Sequence, residues 1–105
     1  MAAIIKHFDS YKVWYYSGHP YEALIYCYLG GTYAGRMVFF KDGAAIPPNA
    51  NYASGPSIHY ALGRFDDIAE ILRHESPLYI FLNPPNLIGG PATDELEPTG
   101  EEEPL

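Results

Sequence analysis

Between Ala23 and Lys41 the chain is almost unbroken in strand-forming residues, and what breaks it is a pair of glycines, Gly30-Gly31. A two-residue Gly-Gly loop satisfies a type I′ turn, in which both central residues need positive φ. The stretch therefore predicts a hairpin of strands 23–29 and 33–41. Closing the turn there sets Leu29 opposite Thr32 and Tyr28 opposite Tyr33. It also sets Tyr26 over Gly35, whose bare backbone a neighbouring ring would cover. A lone hairpin is marginal in water, so the rest of the chain is read as what completes this sheet.

Lys12 to Tyr16 is rich in aromatic and β-branched residues and is cut off by Ser17-Gly18-His19-Pro20, a strand and a turn. Ile4 to Phe8 reads as a short edge strand, and Ile58 to Leu62 as another strand. "GRFDDIAEILRHE" follows, with Phe65, Ile68, Ala69, Ile71 and Leu72 on one helical face. Gly63 or Asp66 would be its N-cap, and Pro77 would stop it. Leu78 to Leu82, "LYIFL", is apolar without alternation, the pattern of a central strand buried on both faces. Strand, helix and strand then form a β-α-β unit, whose crossover should be right-handed and whose strands should be parallel within one sheet. The expectation is an α+β fold: a single small domain with a mixed, mainly antiparallel sheet of about five strands and one helix on one face. One helix of about three turns cannot cover both faces of such a sheet, so a second copy of the chain is expected against the other, making a homodimer.

The net charge of −7 divides unevenly along the 105 residues. Up to Pro91, six cationic side chains stand against seven acidic ones, and the other six acids lie between Asp94 and Glu103. From residue 84 the composition turns to Pro, Gly and Glu. The chain is therefore divided into a globular part, 1–83, and an acidic tail, 84–105, too poor in apolar residues to fold alone. Neither part clusters Lys and Arg as binding to a phosphate backbone requires, so nucleic acid is not an expected partner. The longest apolar run, Ala23 to Leu29, is far short of the ~20 residues of a membrane helix, and no membrane partner is expected. A single cysteine, Cys27, and no secretory leader point to the cytoplasm.

Ten tyrosines and one tryptophan are the compositional excess. Trp14, Tyr16, Tyr26 and Tyr28 recur at strand spacing and could form one aromatic face, tyrosine bringing a large ring, a hydroxyl and few rotatable bonds. The aperiodic stretch "AAIPPNANYASGPS", 44–57, is long for a loop in so small a domain, and Asn49, Asn51 and Tyr52 on it are hydrogen-bonding contact residues. Gly30 and Gly35 have the spacing of a phosphate loop, but Arg36-Met37 stands where Lys and Ser/Thr are required. His7, His19, His59 and His74 share no ligand spacing, so neither metal nor cofactor is expected. Cys27 would need a base, and His59 is the conceivable one. The reading is a non-catalytic binding or protein-interaction module, homodimeric, with the aromatic face, the 44–57 loop and His59 as its contact surface for a protein or small molecule. The alternative is a small enzyme in which a tyrosine hydroxyl and His59 or His19 transfer protons at a dimer cleft.

Overall fold

The glycine hairpin forms as its sequence requires: β3 (Tyr21–Leu29) and β4 (Thr32–Phe40) are antiparallel, with φ of 57° and 83° at Gly30 and Gly31. The structure, a computed structural model, describes residues 3–75, 78–83 and 88–93. In chain order the other elements are β1 (Ile4–Phe8), β2 (Ser10–Tyr15), β5 (Ala50–Tyr52), β6 (Gly55–Ala61), a 3-10 turn (Leu62–Arg64), α1 (Phe65–His74), β7 (Leu78–Asn83) and β8 (Ile88–Thr93). The large sheet has the order β2-β3-β4-β6-β5, in which β4 and β6 are parallel and the other neighbours antiparallel. The fold is a mixed, mainly antiparallel α+β fold with one helix among the described residues, as the sequence predicts.

Four local expectations are corrected. The strands flanking α1 do not share a sheet: β7 is the central strand of a second, antiparallel sheet, β1-β7-β8. Leu78, Ile80 and Leu82 are buried while Tyr79 and Phe81 are half-buried, so β7 presents one core face across the interior rather than two within the large sheet. Tyr26 lies opposite Arg36, and Cys27 opposite Gly35, because Ala34 is an extra residue in a β-bulge. The helix is capped at Arg64 with no side-chain hydrogen bond, the 3-10 turn occupying the place expected of a Gly63 cap. Glu75 is already extended, and Pro77 lies outside the described residues. Finally, 88–93 falls within the stretch read as tail yet pairs along the whole of β7. Residues 84–87 and 94–105 lie outside the described residues.

These corrections answer what covers the sheet. The inner face of the large sheet, Ala23, Ile25, Cys27, Met37, Phe39 and Ile58, is sealed by α1 through Phe65, Ile68, Ala69 and Leu72. Beside the helix, the small sheet adds Phe8, Leu78, Ile80 and Leu82. The lid is thus a helix plus a sheet, not a helix alone. At its centre the Phe39 ring stacks on Tyr60 at 5.4 Å and meets Phe65 edge-on at 5.1 Å, arrangements favoured by the ring quadrupole. The outer face carries a smaller apolar cluster, Leu24, Val38 and Phe40, shielded by Tyr16, Tyr21, Tyr26 and Ala44 of the same chain.

Candidate functional site

Strand alternation sends Lys12 and Trp14 of β2 to the outer face together with Tyr26 and Tyr28 of β3. The bulge at Ala34 adds two residues that a regular strand would not. Moving a strand by one residue turns its side chains to the opposite face. Tyr33 and Arg36, an odd distance apart, therefore share the outer side only because Ala34 is unpaired between them.

The result is a chain of ring contacts across the sheet. Trp14 stands 6.4 Å from both Tyr16 and Tyr26; Tyr26 meets Tyr33 at 6.0 Å, and Tyr33 meets Tyr28 at 6.1 Å. On the other side of Tyr16, His19 and Tyr21 lie at 5.0 and 5.4 Å, and Tyr21 reaches Phe40 at 5.7 Å. Two cations lie over rings: Lys12 Nζ is 5.5 Å from the centre of Tyr28, a member of this array, and the Arg36 guanidinium 5.7 Å from that of Tyr52, which stands apart from it, both within the range of cation–π attraction. Burial, and for Tyr16 also the neighbouring Tyr26 hydroxyl, pushes the Tyr16 and Tyr33 phenols above their ordinary range, with Arg36 pulling the other way. Their hydroxyls are therefore neutral and able to donate hydrogen bonds at physiological pH.

A polar relay underlies one side of the array. Arg36 Nε donates to Ser57 Oγ at 2.9 Å, and Ser57 Oγ lies 2.8 Å from His59 Nε2. His59 Nδ1 lies 3.0 Å from the Pro47 carbonyl. A carbonyl only accepts, so the proton is assigned to Nδ1, and Nε2 accepts from the Ser57 hydroxyl. The His59 backbone N–H donates to Asn49 Oδ1 at 2.6 Å. Asn49 and His59 thus hold the 41–49 segment against the sheet. A serine bonded to an imidazole that is oriented by an acceptor has the connectivity of a nucleophile–base pair. Here Ser57 is fully buried, and its oxygen already bridges Arg36 and His59. Ser57→Ala is expected to lower stability by about 1–3 kcal/mol, because two half-buried nitrogens lose their common partner; urea unfolding measures it.

The candidate residues therefore divide. Trp14, Tyr16, Tyr26 and Tyr28 come together on one face, with Tyr52 beside Arg36. Asn49 and His59 serve the loop clasp instead. Asn51 lies at the other edge, in a cleft with Ile4, Lys6 and Tyr52. The 44–57 stretch is less of a loop than expected, since β5 and the start of β6 occupy 50–52 and 55–57. Sequence reasoning missed Lys12, Tyr33 and Arg36; the first was legible from its spacing to Trp14, whereas the other two depend on the bulge. Cys27 faces the core and His59 the outer side, so they cannot act as nucleophile and base. The remaining histidines are dispersed: His7 packs on Tyr79, His19 on Tyr16 and Tyr21, and His74 pairs with Glu70 at 3.3 Å. Among the described residues no group of three or more His, Cys, Asp or Glu could hold a metal ion, and no helix is long and apolar enough to cross a membrane.

Apart from the outer face, a cleft of about 400 Å³ opens between the β1–β2 corner and the C-terminal end of α1, lined by Asp9, Tyr11, Arg73, His74 and Glu75 among others. Comparison with known proteins leaves the assignment to this geometry: no protein family, no curated protein and no solved structure matches the chain.

Proposed function

We propose that the protein is a non-catalytic interaction module whose contact surface is the outer face of the large sheet. The observation that carries this reading is the continuous array Tyr16–Trp14–Tyr26–Tyr33–Tyr28, with Trp14 half-exposed and Lys12 and Arg36 poised over rings. Tyr, Trp and Arg are the side chains that dominate interface energetics. Both charged groups lying over the rings are cationic, and the phenols are donors. The partner that fits is an extended peptide segment of another protein bearing carboxylates and apolar side chains. The 41–49 segment, clasped by Asn49 and His59, forms one wall of this surface.

A displayed random-peptide library selected on the protein tests this. Binders enriched in Asp and Glu are expected. Their affinity should fall about ten-fold or more with Trp14→Ala or Tyr26→Ala, the scale of an interface hot spot, and should weaken with added salt. Selected peptides indifferent to both substitutions would refute the reading. One observation favours a second reading, a small enzyme: Tyr11 and His74 both line the 400 Å³ cleft, and the two side chains are of the types suited to proton transfer. Fragment-induced NMR shifts confined to Tyr11, Arg73 and His74, leaving the outer tyrosines unmoved, would favour it over the first.

A further inference from the structure

We infer that the free edge of β2 pairs with the β2 of a second copy, antiparallel about a twofold axis at Val13. This goes beyond the outer-face reading, since it uses the backbone of β2 rather than the rings of the array.

The starting point is which backbone groups β2 leaves open. Tyr16 N–H donates to the Glu22 carbonyl at 2.9 Å, in step with the register Tyr15↔Ala23 and Trp14↔Leu24. Hydrogen-bonded and non-hydrogen-bonded pairs alternate along an antiparallel ladder, so residues 12, 14 and 16 point their amides at β3. Tyr11, Val13 and Tyr15 point theirs outward, and β2 is the outermost strand of its sheet. Val13, Trp14 and Tyr15 are 39%, 51% and 70% exposed, three consecutive large apolar residues on one open edge.

An exposed edge is a template for strand addition, and natural proteins blunt edges they do not use; β2 carries one charge, Lys12. Of the other edges among the described residues, two are blunted and the third adjoins the hairpin. β5 is three residues long, β8 carries Pro91, and β1 shares a cleft with the end of the β3–β4 hairpin, where Ile5, Lys6 and His7 face Leu29, Thr32 and Tyr33. β2 carries neither proline nor bulge along its pairing with β3.

The sequence of β2 then selects the occupant and the register. Centring the twofold on Val13 pairs Tyr11 with Tyr15 of the copy and Val13 with its counterpart. Three hydrogen-bonded pairs result, with about six backbone bonds. On the outer face, Lys12 of each copy falls opposite Trp14 of the other, a cross-strand cation–aromatic pair made twice. Centring on Lys12 would oppose two lysines, and centring on Trp14 would leave Tyr11 unpaired. The strand is complementary to itself in one register that uses its full length. The helices agree with it. Phe65 at the start of α1 touches Tyr15, while the end of α1 lines a cleft with Tyr11, so α1 runs alongside β2. The same twofold sets the two helices antiparallel, with Asp66 and Asp67 at one end and Arg73 and His74 at the other.

Edge pairing over six residues is a small interface, so dissociation in the micromolar range is expected. Sedimentation of the full chain at about 100 μM should show dimer, and Val13→Asp, which puts two like charges on the axis of an exposed position, should return it to monomer. Register is read by cross-linking under mild oxidation. Paired Cα atoms at the axis lie about 5.5 Å apart, within disulfide reach. Val13→Cys should cross-link, whereas the more exposed Tyr15→Cys, facing Tyr11 rather than itself, should not. A monomer at that concentration would overturn the proposal. So would Tyr15→Cys cross-linking as readily as Val13→Cys. A dimer that survives Val13→Asp would likewise overturn it and locate self-association elsewhere, leaving the peptide-binding reading to be judged by its own selection experiment.

Discussion

Replacing Gly89 by alanine is expected to destabilise the fold by about 2–4 kcal/mol, lowering the melting temperature by roughly 10–20 °C. Gly89 lies opposite Leu82 in the β7–β8 ladder. A Cβ built there would sit 2.5 Å from the Phe81 carbonyl oxygen, 2.7 Å from Ile58 Cδ1 and 3.2 Å from Leu82 Cδ1. The nearest of these is backbone of the strand to which β8 is paired, so it cannot give way without breaking the ladder. The next belongs to Ile58, which is 1% exposed within the main core cluster, where overpacking is costly. Gly63→Ala, with nothing within 4 Å of the added carbon, is the control and should leave the melting temperature within a few degrees of the parent. Thermal denaturation followed by circular dichroism decides the matter. Equal melting temperatures for Gly89→Ala and the parent would mean that β8 does not lie against Ile58, and that the small sheet ends at β7.

That strand also marks the limit of what the sequence discloses. "IGGPAT" offers two glycines and a proline and no run of β-branched residues, so its strand character comes from β7 alongside it and not from its own preferences. β3, β4 and α1 were legible because each carries its determinant locally: a glycine turn, or a 3.6-residue repeat. β7 was legible as a strand but not as a member of a second sheet, because an apolar run reports burial without saying against what. The parallel pairing of β4 with β6 was hidden for the same reason. Within the candidate site, Trp14, Tyr16, Tyr26 and Tyr28 could be grouped by a period of two alone. Tyr33 and Arg36 could not, since one unpaired residue, Ala34, changes the phase between them. Asn49 and His59 were singled out for their chemistry, yet that chemistry is spent on each other's segments, as it is for most half-buried polar groups.

Between pH 9 and 12 the folded chain is expected to lose several kcal/mol of stability, much of it through one thiol. Burial pushes Cys27 from 9.0 up to about 12, and Tyr60, beneath Phe39, from 10.0 up to about 12. Both groups are neutral when protonated, and the core that excludes water disfavours their anions. The folded chain thus holds these protons more tightly than the unfolded chain. The stabilisation is whole below about pH 9, where both states are protonated, and is lost as the pH climbs through the unfolded values toward the folded ones. Urea midpoints measured at pH 7, 9.5 and 11 should fall in that order. Cys27→Ala, although less stable at pH 7 because of the volume it removes, should show a shallower fall, since one of the two largest shifts is gone. The same protonation governs reactivity. At pH 8 the native thiol should react with iodoacetamide about a thousand-fold or more slowly than in urea, because the attacking species is the thiolate. A midpoint flat to pH 11, or a native thiol alkylated as fast as the unfolded one, would place Cys27 in water. The inner face of the large sheet would then not be the sealed side, and the division between a packed inner face and a contacting outer face would have to be reversed.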